Sequence, residues 1–366
     1  MQIVYFPYLN MQQKEEYLFN DGDIKIWNFK LKGKDYIKDD EVYKKVQALV
    51  CSNIHGGKAI EDVGIVTIGK CDFREFSQVE METVEELKYL FFVSHISNNA
   101  KLGQDVNAGH YAYTSENFDL VIQNFRMDND YFGLQDGFIV NMLIGGYQIG
   151  KKKFETPTYL LKPDRVSFDG HLLKALLELK NKKPMLFKRI VEATKIFYLS
   201  YYNTPSLSQS VRIPLQTSAF EVLLKIPNKE KRKHFRESIE KLCSSTNEKQ
   251  ITFWSEAYTG KTRRKGTPKA YWADRFYTLR NHIIHGDKVK PKEYLFRNKQ
   301  HYFDASLLFF ILTIKRLANN ALKEKLFYDD IKWEKKKDGF GRDFEGFVYE
   351  DNYRQAMIEK ALANRN

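Results

Sequence analysis

The chain of 366 residues is predicted to be an α+β protein. A β-rich N-terminal domain is expected over residues 1–164, an all-α helical bundle over 165–325, and a C-terminal tail over 326–366. Two observations carry that division. Before residue 165, short β-branched and aromatic runs alternate with Gly, Asn and Asp, the pattern of strands and turns. After Pro163 the apolar residues recur at three and four, the spacing of helices that pack by one face. A composition 43% hydrophobic and 29% charged excludes a disordered or fibrous chain.

In the first half, Ile24–Leu31 (IKIWNFKL) alternates apolar and polar residues as a half-buried strand does. Val63–Ile68, Leu120–Phe125 and Phe138–Ile149 are further predicted strands, the last interrupted at Gly145-Gly146. One helix is expected over Val84–Ile96, with Thr83 as its cap and Glu85 and Glu86 in the favourable first turn. In the second half, helices are expected over Phe168–Leu179, Pro184–Tyr202, Leu207–Ile226 and Lys229–Leu242. In the second of these, Leu186, Ile190, Ala193, Phe197 and Tyr201 form one stripe. A polar link over Ser244–Gln250 and a glycine-flanked basic loop over Gly260–Gly266 follow. Thr267-Pro268 then starts a helix that Gly286 ends, Pro suiting the first turn and Gly the position past the last. A long apolar helix is expected over Tyr302–Lys325 and a short one near Asn352–Ala363.

Lys and Arg total 59 against 47 Asp and Glu, a net charge of +12. An excess of this sign favours polyanions, RNA or DNA first, although it also serves solubility alone. No run approaches the roughly twenty apolar residues of a membrane helix, and the first residues lack a basic and then apolar leader pattern. Cys51, Cys71 and Cys243 are too far apart for a disulfide framework or a metal knuckle, and Cys51 with His55 is an isolated pair. The expectation is a soluble cytoplasmic protein with no membrane partner, no metal site and no cofactor. Gly145-Gly146…Gly150 lacks the spacing of a nucleotide loop, and no nucleophile elbow is present.

The informative segment is Tyr271–Asp287, YWADRFYTLRNHIIHGD. On a helix, Trp272, Phe276, Leu279 and Ile283 fall on one core face. Asn281 and His285, four apart, lie on the other side near Asp274 and Thr278. Arg280 projects from the flank. His285 also suits a helix end, where an imidazole can meet free carbonyls and the negative end of the dipole.

Arg280-Asn281-His282-Ile283-Ile284-His285-Gly286 resembles the R-N-x3-H motif of HEPN domains, helical ribonuclease modules of toxin–antitoxin, abortive-infection and CRISPR systems. The trailing Gly286 is similar to the Apea-like branch of that family. A bare R-x4-H arises by chance in about one chain in three, whereas the adjacent Asn and trailing Gly lower this to about one in a thousand. Leu215–Leu224 (LQTSAFEVLL) resembles the family's A-[LF]-E-x-L helix, in which Glu221 is expected to be structural. The resemblance covers about residues 165–325.

RNA carries its own nucleophile, the 2′-hydroxyl, so cleavage needs help with protons and with charge on phosphorus. His285 is the candidate acid/base, Arg280 the phosphate and transition-state stabiliser, and Asn281 the positioning residue. The resemblance implies a metal-independent endoribonuclease that leaves a 2′,3′-cyclic phosphate. It also implies a homodimer in which two motifs line one cleft, and an antitoxin or trigger-sensing partner. Lys261, Arg263, Arg264, Lys265 and Lys269, directly before the motif helix, are candidate RNA-binding residues. Lys229, Lys231, Arg232, Lys233 and Arg236 could collect phosphates or form a solvated face. The alternative function is a non-catalytic module of the same fold that binds RNA or a protein.

Overall fold

A computed structural model describes residues 1–9, 16–70, 72–101, 115–135, 146–155, 168–202, 207–244, 250–257, 260–296 and 300–323. Two compact units divide the chain, one formed by 1–92 with 110–167 and the other by 93–109 with 168–366.

Apolar residues at successive positions build the first unit around β1 (Gln2–Phe6), a strand buried at every position. Such continuous burial requires cover on both sheet faces. The other strands of the sheet are β2 (Tyr17–Asp21), β3 (Ile24–Asn28), β6 (Gly64–Ile68), β7 (Val121–Phe125), β8 (Tyr131–Gln135) and β9 (Tyr147–Gln148). The seven strands run in the order β2-β3-β6-β1-β7-β8-β9, every pair antiparallel. On one face Ile3, Tyr5, Trp27, Ile65 and Phe125 pack with Ile37, Val46, Leu49 and Val50. The latter three belong to α2 (Asp40–Val50), which follows α1 (Phe29–Tyr36). On the other face Phe6 and Phe19 meet Phe91 at 6.0 and 5.5 Å between ring centroids. Phe91 belongs to α3 (Gln78–Lys101). Two short strands, β4 (Asn53–His55) and β5 (Lys58–Ala59), join β10 (Phe154–Glu155) in a small separate sheet.

Local capping accounts for what the sequence reading missed in this unit. The strand expected over Ile24–Leu31 stops at Asn28, whose side chain accepts from the backbone N–H of Lys30 at 3.0 Å and starts α1. Asp39 likewise caps α2, accepting from Glu41 and Val42 at 2.9 Å each. Helix α3 begins before the expected Val84 because Ser77 and Glu80 form a reciprocal capping box, and Thr83 instead bonds the Val79 carbonyl inside the helix. Of the strand expected over Phe138–Ile149, residues 138–145 lie outside the described residues, as do the tail from 324 onwards and its expected helix.

The second unit contains α4 (Gly170–Lys182), α5 (Pro184–Ser200), α6 (Gln209–Leu224), α7 (Lys231–Cys243), α8 (Pro268–Ile284) and α9 (Tyr302–Leu322). Its core is aromatic. Phe197 stacks on Phe310 with centroids 4.0 Å apart, Trp272 stacks on Phe309 at the same separation, and Phe220 presents its ring to Phe197, Phe235, Trp272, Phe276 and Phe310. The window Ala305–Leu322 of α9 is long and apolar enough to cross a bilayer, which the sequence reading did not register. Most of that window, 61%, is buried inside the protein, as in the core helix of a bundle.

This unit is not all-α. β11 (Ile251–Ala257) and β12 (Gly260–Gly266) pair antiparallel from Ile251↔Gly266 to Ala257↔Gly260, and β13 (Leu295–Phe296) pairs with β14 (Gln300–His301). The basic segment expected as a loop is therefore a strand. Its sequence, GKTRRKG, carries no apolar alternation that would have announced one.

Candidate active site

Thr267 fixes the start of α8, its hydroxyl accepting from the Ala270 N–H at 3.2 Å with Pro268 in the first turn. From there the helix is covered on both sides. Trp272, Phe276 and Leu279 enter the aromatic core, while Ile283 is only half-buried. On the opposite side Asp274 is fully buried and accepts from Ser255 Oγ at 2.8 Å and from Arg236 Nη1 at 3.3 Å. Arg232 Nε lies 3.7 Å from the same oxygen, and Arg232 Nη1 donates to Thr278 Oγ1 at 3.3 Å. The Asp274 and Thr278 part of the polar face is thus covered within the chain, by α7 and the β11–β12 hairpin.

The last turn is the most exposed part of the helix. Arg280 keeps 20% of its side chain exposed and donates from Nη1 to Asn281 Oδ1 at 3.1 Å. Its Nη2 lies 3.7 Å from Glu221 Oε1, and the guanidinium sits 5.3 Å from the centroid of the Tyr277 ring. Glu221 accepts two hydrogen bonds besides this ion pair. Tyr277 OH donates to Oε1 at 2.5 Å and Lys231 Nζ to Oε2 at 2.6 Å. Burial, then the hydrogen bond and charge of Glu221, push the Tyr277 phenol pKa well above its ordinary value. Glu221 thus links α6 to α7 and α8 through these contacts.

His285 is the C-cap residue, and its side chain is exposed. Gly286 follows with φ +78°, a conformation open to glycine but costly for other residues. Its N–H bonds the Ile283 carbonyl at 3.1 Å and the Asp287 N–H bonds the His282 carbonyl at 2.9 Å. Together these two bonds make a Schellman motif, which satisfies the helix end without the His285 imidazole. Arg280 and Asn281 are brought together, whereas five helical residues separate Arg280 and His285 by roughly 140° around the axis. No hydrogen bond joins the imidazole to either.

The expected RNA-binding residues divide. Arg263 and Lys265 are exposed, and neither pairs with a carboxylate among the described residues. Arg264 is half-buried on the other face of β12, opposite the buried Phe253. Lys269 is 3% exposed and donates to the Cys243 carbonyl at 2.9 Å, so burial removes it from any phosphate-binding surface. The backbone of Lys261 pairs with that of Glu256, and its side chain lies outside the described residues. On α7, Lys231 serves Glu221, Lys233 serves Glu230, and Arg232 and Arg236 serve Asp274. The sequence reading overlooked Trp254, which stands on the exposed face of β11 across from Arg263. Its signal was the alternation of Ile251, Phe253 and Ser255, which sends Trp254 to the opposite side.

Among the described residues no three His, Cys, Asp or Glu side chains gather as metal ligands. No protein-family model, no curated protein and no solved structure matches the chain.

Proposed function

We propose that the chain is a metal-independent endoribonuclease of the HEPN type, acting as an intracellular defence or stress effector. The observation that carries this reading is the end of α8. There an exposed imidazole, His285, follows an Arg280–Asn281 pair by about one turn, and the Schellman closure leaves that imidazole free of capping duty.

The reaction uses groups that RNA and these side chains supply. The 2′-oxygen attacks the adjacent phosphorus and gives its proton to a base. The bond from phosphorus to the 5′-oxygen breaks, and the departing oxygen takes a proton from an acid. An imidazole exchanges protons near neutral pH and suits either transfer. Arg280 would meet the charge on the non-bridging oxygens, exchanging the Glu221 carboxylate for phosphate as its anionic partner. Asn281 holds that guanidinium. The products are a 2′,3′-cyclic phosphate and a 5′-hydroxyl, and DNA, without a 2′-hydroxyl, resists.

A homodimer belongs to this reading, since Arg280 and His285 diverge around one helix and a second copy would supply the complementary pair. Ile284, 49% exposed beside His285, is an apolar side chain that such a partner would cover. Cleavage of mixed RNA in EDTA tests the proposal. The wild type should cut, and His285→Ala or Arg280→Ala should lower the rate by about 10²-fold or more. Undiminished cleavage in both variants would place the chemistry elsewhere. One observation favours a second reading: Arg280 already holds an internal carboxylate, as a structural arginine does. On that reading the wild type binds RNA and leaves it intact.

A further inference from the structure

The β11–β12 hairpin has two faces with different work. On the inner face Ile251 and Phe253 are buried, Phe253 packs on Tyr271 with ring centroids 5.0 Å apart, and Ser255 bonds Asp274. That face fixes the hairpin to α8. The outer face takes no part in this packing, yet it carries a tryptophan. Trp254 is 37% exposed, whereas Trp27 and Trp272 are fully buried. Register sets Trp254 directly across from Arg263 and Thr252 across from Lys265, so Lys265 is the diagonal neighbour of the indole. Both cations are exposed, and among the described residues neither is neutralised by a carboxylate.

We infer that this face, Trp254 with Arg263 and Lys265, binds single-stranded RNA, the indole stacking on a base and the two cations contacting phosphates. An aromatic platform flanked by cations fits an unpaired nucleic acid, because every base offers a π-face and every linkage a charge. A duplex hides its base faces and cannot use the platform. The inference deepens the ribonuclease reading by naming how its substrate is gripped, and it rests on that reading only for the choice of RNA.

The test uses the full-length protein and a 2′-O-methyl oligouridylate, which cannot be cleaved. Binding should quench tryptophan fluorescence in the wild type, and Trp254→Phe should abolish most of that quenching. Trp254→Ala should weaken binding about tenfold or more. Arg263→Gln with Lys265→Gln should flatten the dependence of log affinity on log salt by about 1.4, roughly 0.7 for each phosphate no longer neutralised. Circular dichroism confirms that each variant is folded. Unchanged affinity in Trp254→Ala, equal binding of a duplex of the same length, or a wild-type preference for an acidic protein over the oligonucleotide would each overturn the inference. His285→Ala separates the two proposals. If it abolishes cleavage while the Trp254 variants bind normally, the nuclease stands and the platform falls. If the wild type leaves RNA uncut while Trp254→Ala loses binding, the platform stands and the nuclease falls.

Discussion

Glu221 accepts hydrogen bonds from Tyr277 and Lys231 and lies beside Arg280, so one carboxylate organises side chains from α6, α7 and α8. Removing it would leave two cations together in a half-buried site, and Glu221→Ala should lower stability by about 2 kcal/mol, read from the urea midpoint. Tyr277→Phe removes one bond and should cost about 1 kcal/mol at neutral pH. The size of this contribution depends on pH. The folded phenol has a raised pKa, so the unfolded chain loses this proton first, near the ordinary value of 10.0. The stability that Tyr277 contributes is therefore complete below that pH and falls above it, and the gap between wild type and Tyr277→Phe should shrink as pH climbs past 10. At this scale the spacing of Arg280, Asn281 and Glu221 is a one-dimensional pattern, whereas the approach of Arg280 to Glu221 at 3.7 Å depends on the packing of α6 against α8. The sequence was a poor guide to Lys269, because only the packed structure reveals that the Cys243 carbonyl takes its ammonium.

Helix α8 is defined by its ends. Thr267-Pro268 and Gly286 were legible because capping and left-handed closure depend on residue type at one position. Gly286→Ala should cost about 1 kcal/mol through its φ of +78°, with no crowding of the added methyl to increase it, since nothing lies within 4 Å. A thermal melt of the variant checks this. If the Schellman closure also orients His285, the same change should reduce RNA cleavage more than the small loss of stability explains. Helices α1 and α2 escaped notice for the opposite reason. The signal of α1 was a single cap, Asn28, inside a run whose alternation also suited a strand, and α2 adds to its Asp39 cap only one short apolar stripe, Val46, Leu49 and Val50.

Across the second unit, Asp169 ties together segments far apart in sequence. Its fully buried carboxylate accepts from Ser97 Oγ at 2.6 Å and from Lys315 Nζ at 3.2 Å, and also caps α4 through the Leu172 N–H. Ser97 lies in α3 and Lys315 in α9. Asp169→Ala would leave the Lys315 charge buried and should destabilise the unit by about 3 kcal/mol or more, measured by urea unfolding. Nothing in the local pattern around Asp169 foretold this convergence, since burial of a paired charge depends on three distant segments meeting. The class of each half was readable from periodicity. The hairpin inside the helical half was not, because β12 is charged at Lys261, Arg263, Arg264 and Lys265.

That hairpin separates what must be kept from what can vary. Positions 251, 253 and 255 are committed to α8, whereas 252, 254, 263 and 265 can change without disturbing the scaffold beneath. A lineage could thus retune which molecules it captures by drift along one side of a ribbon while its interior stays constant.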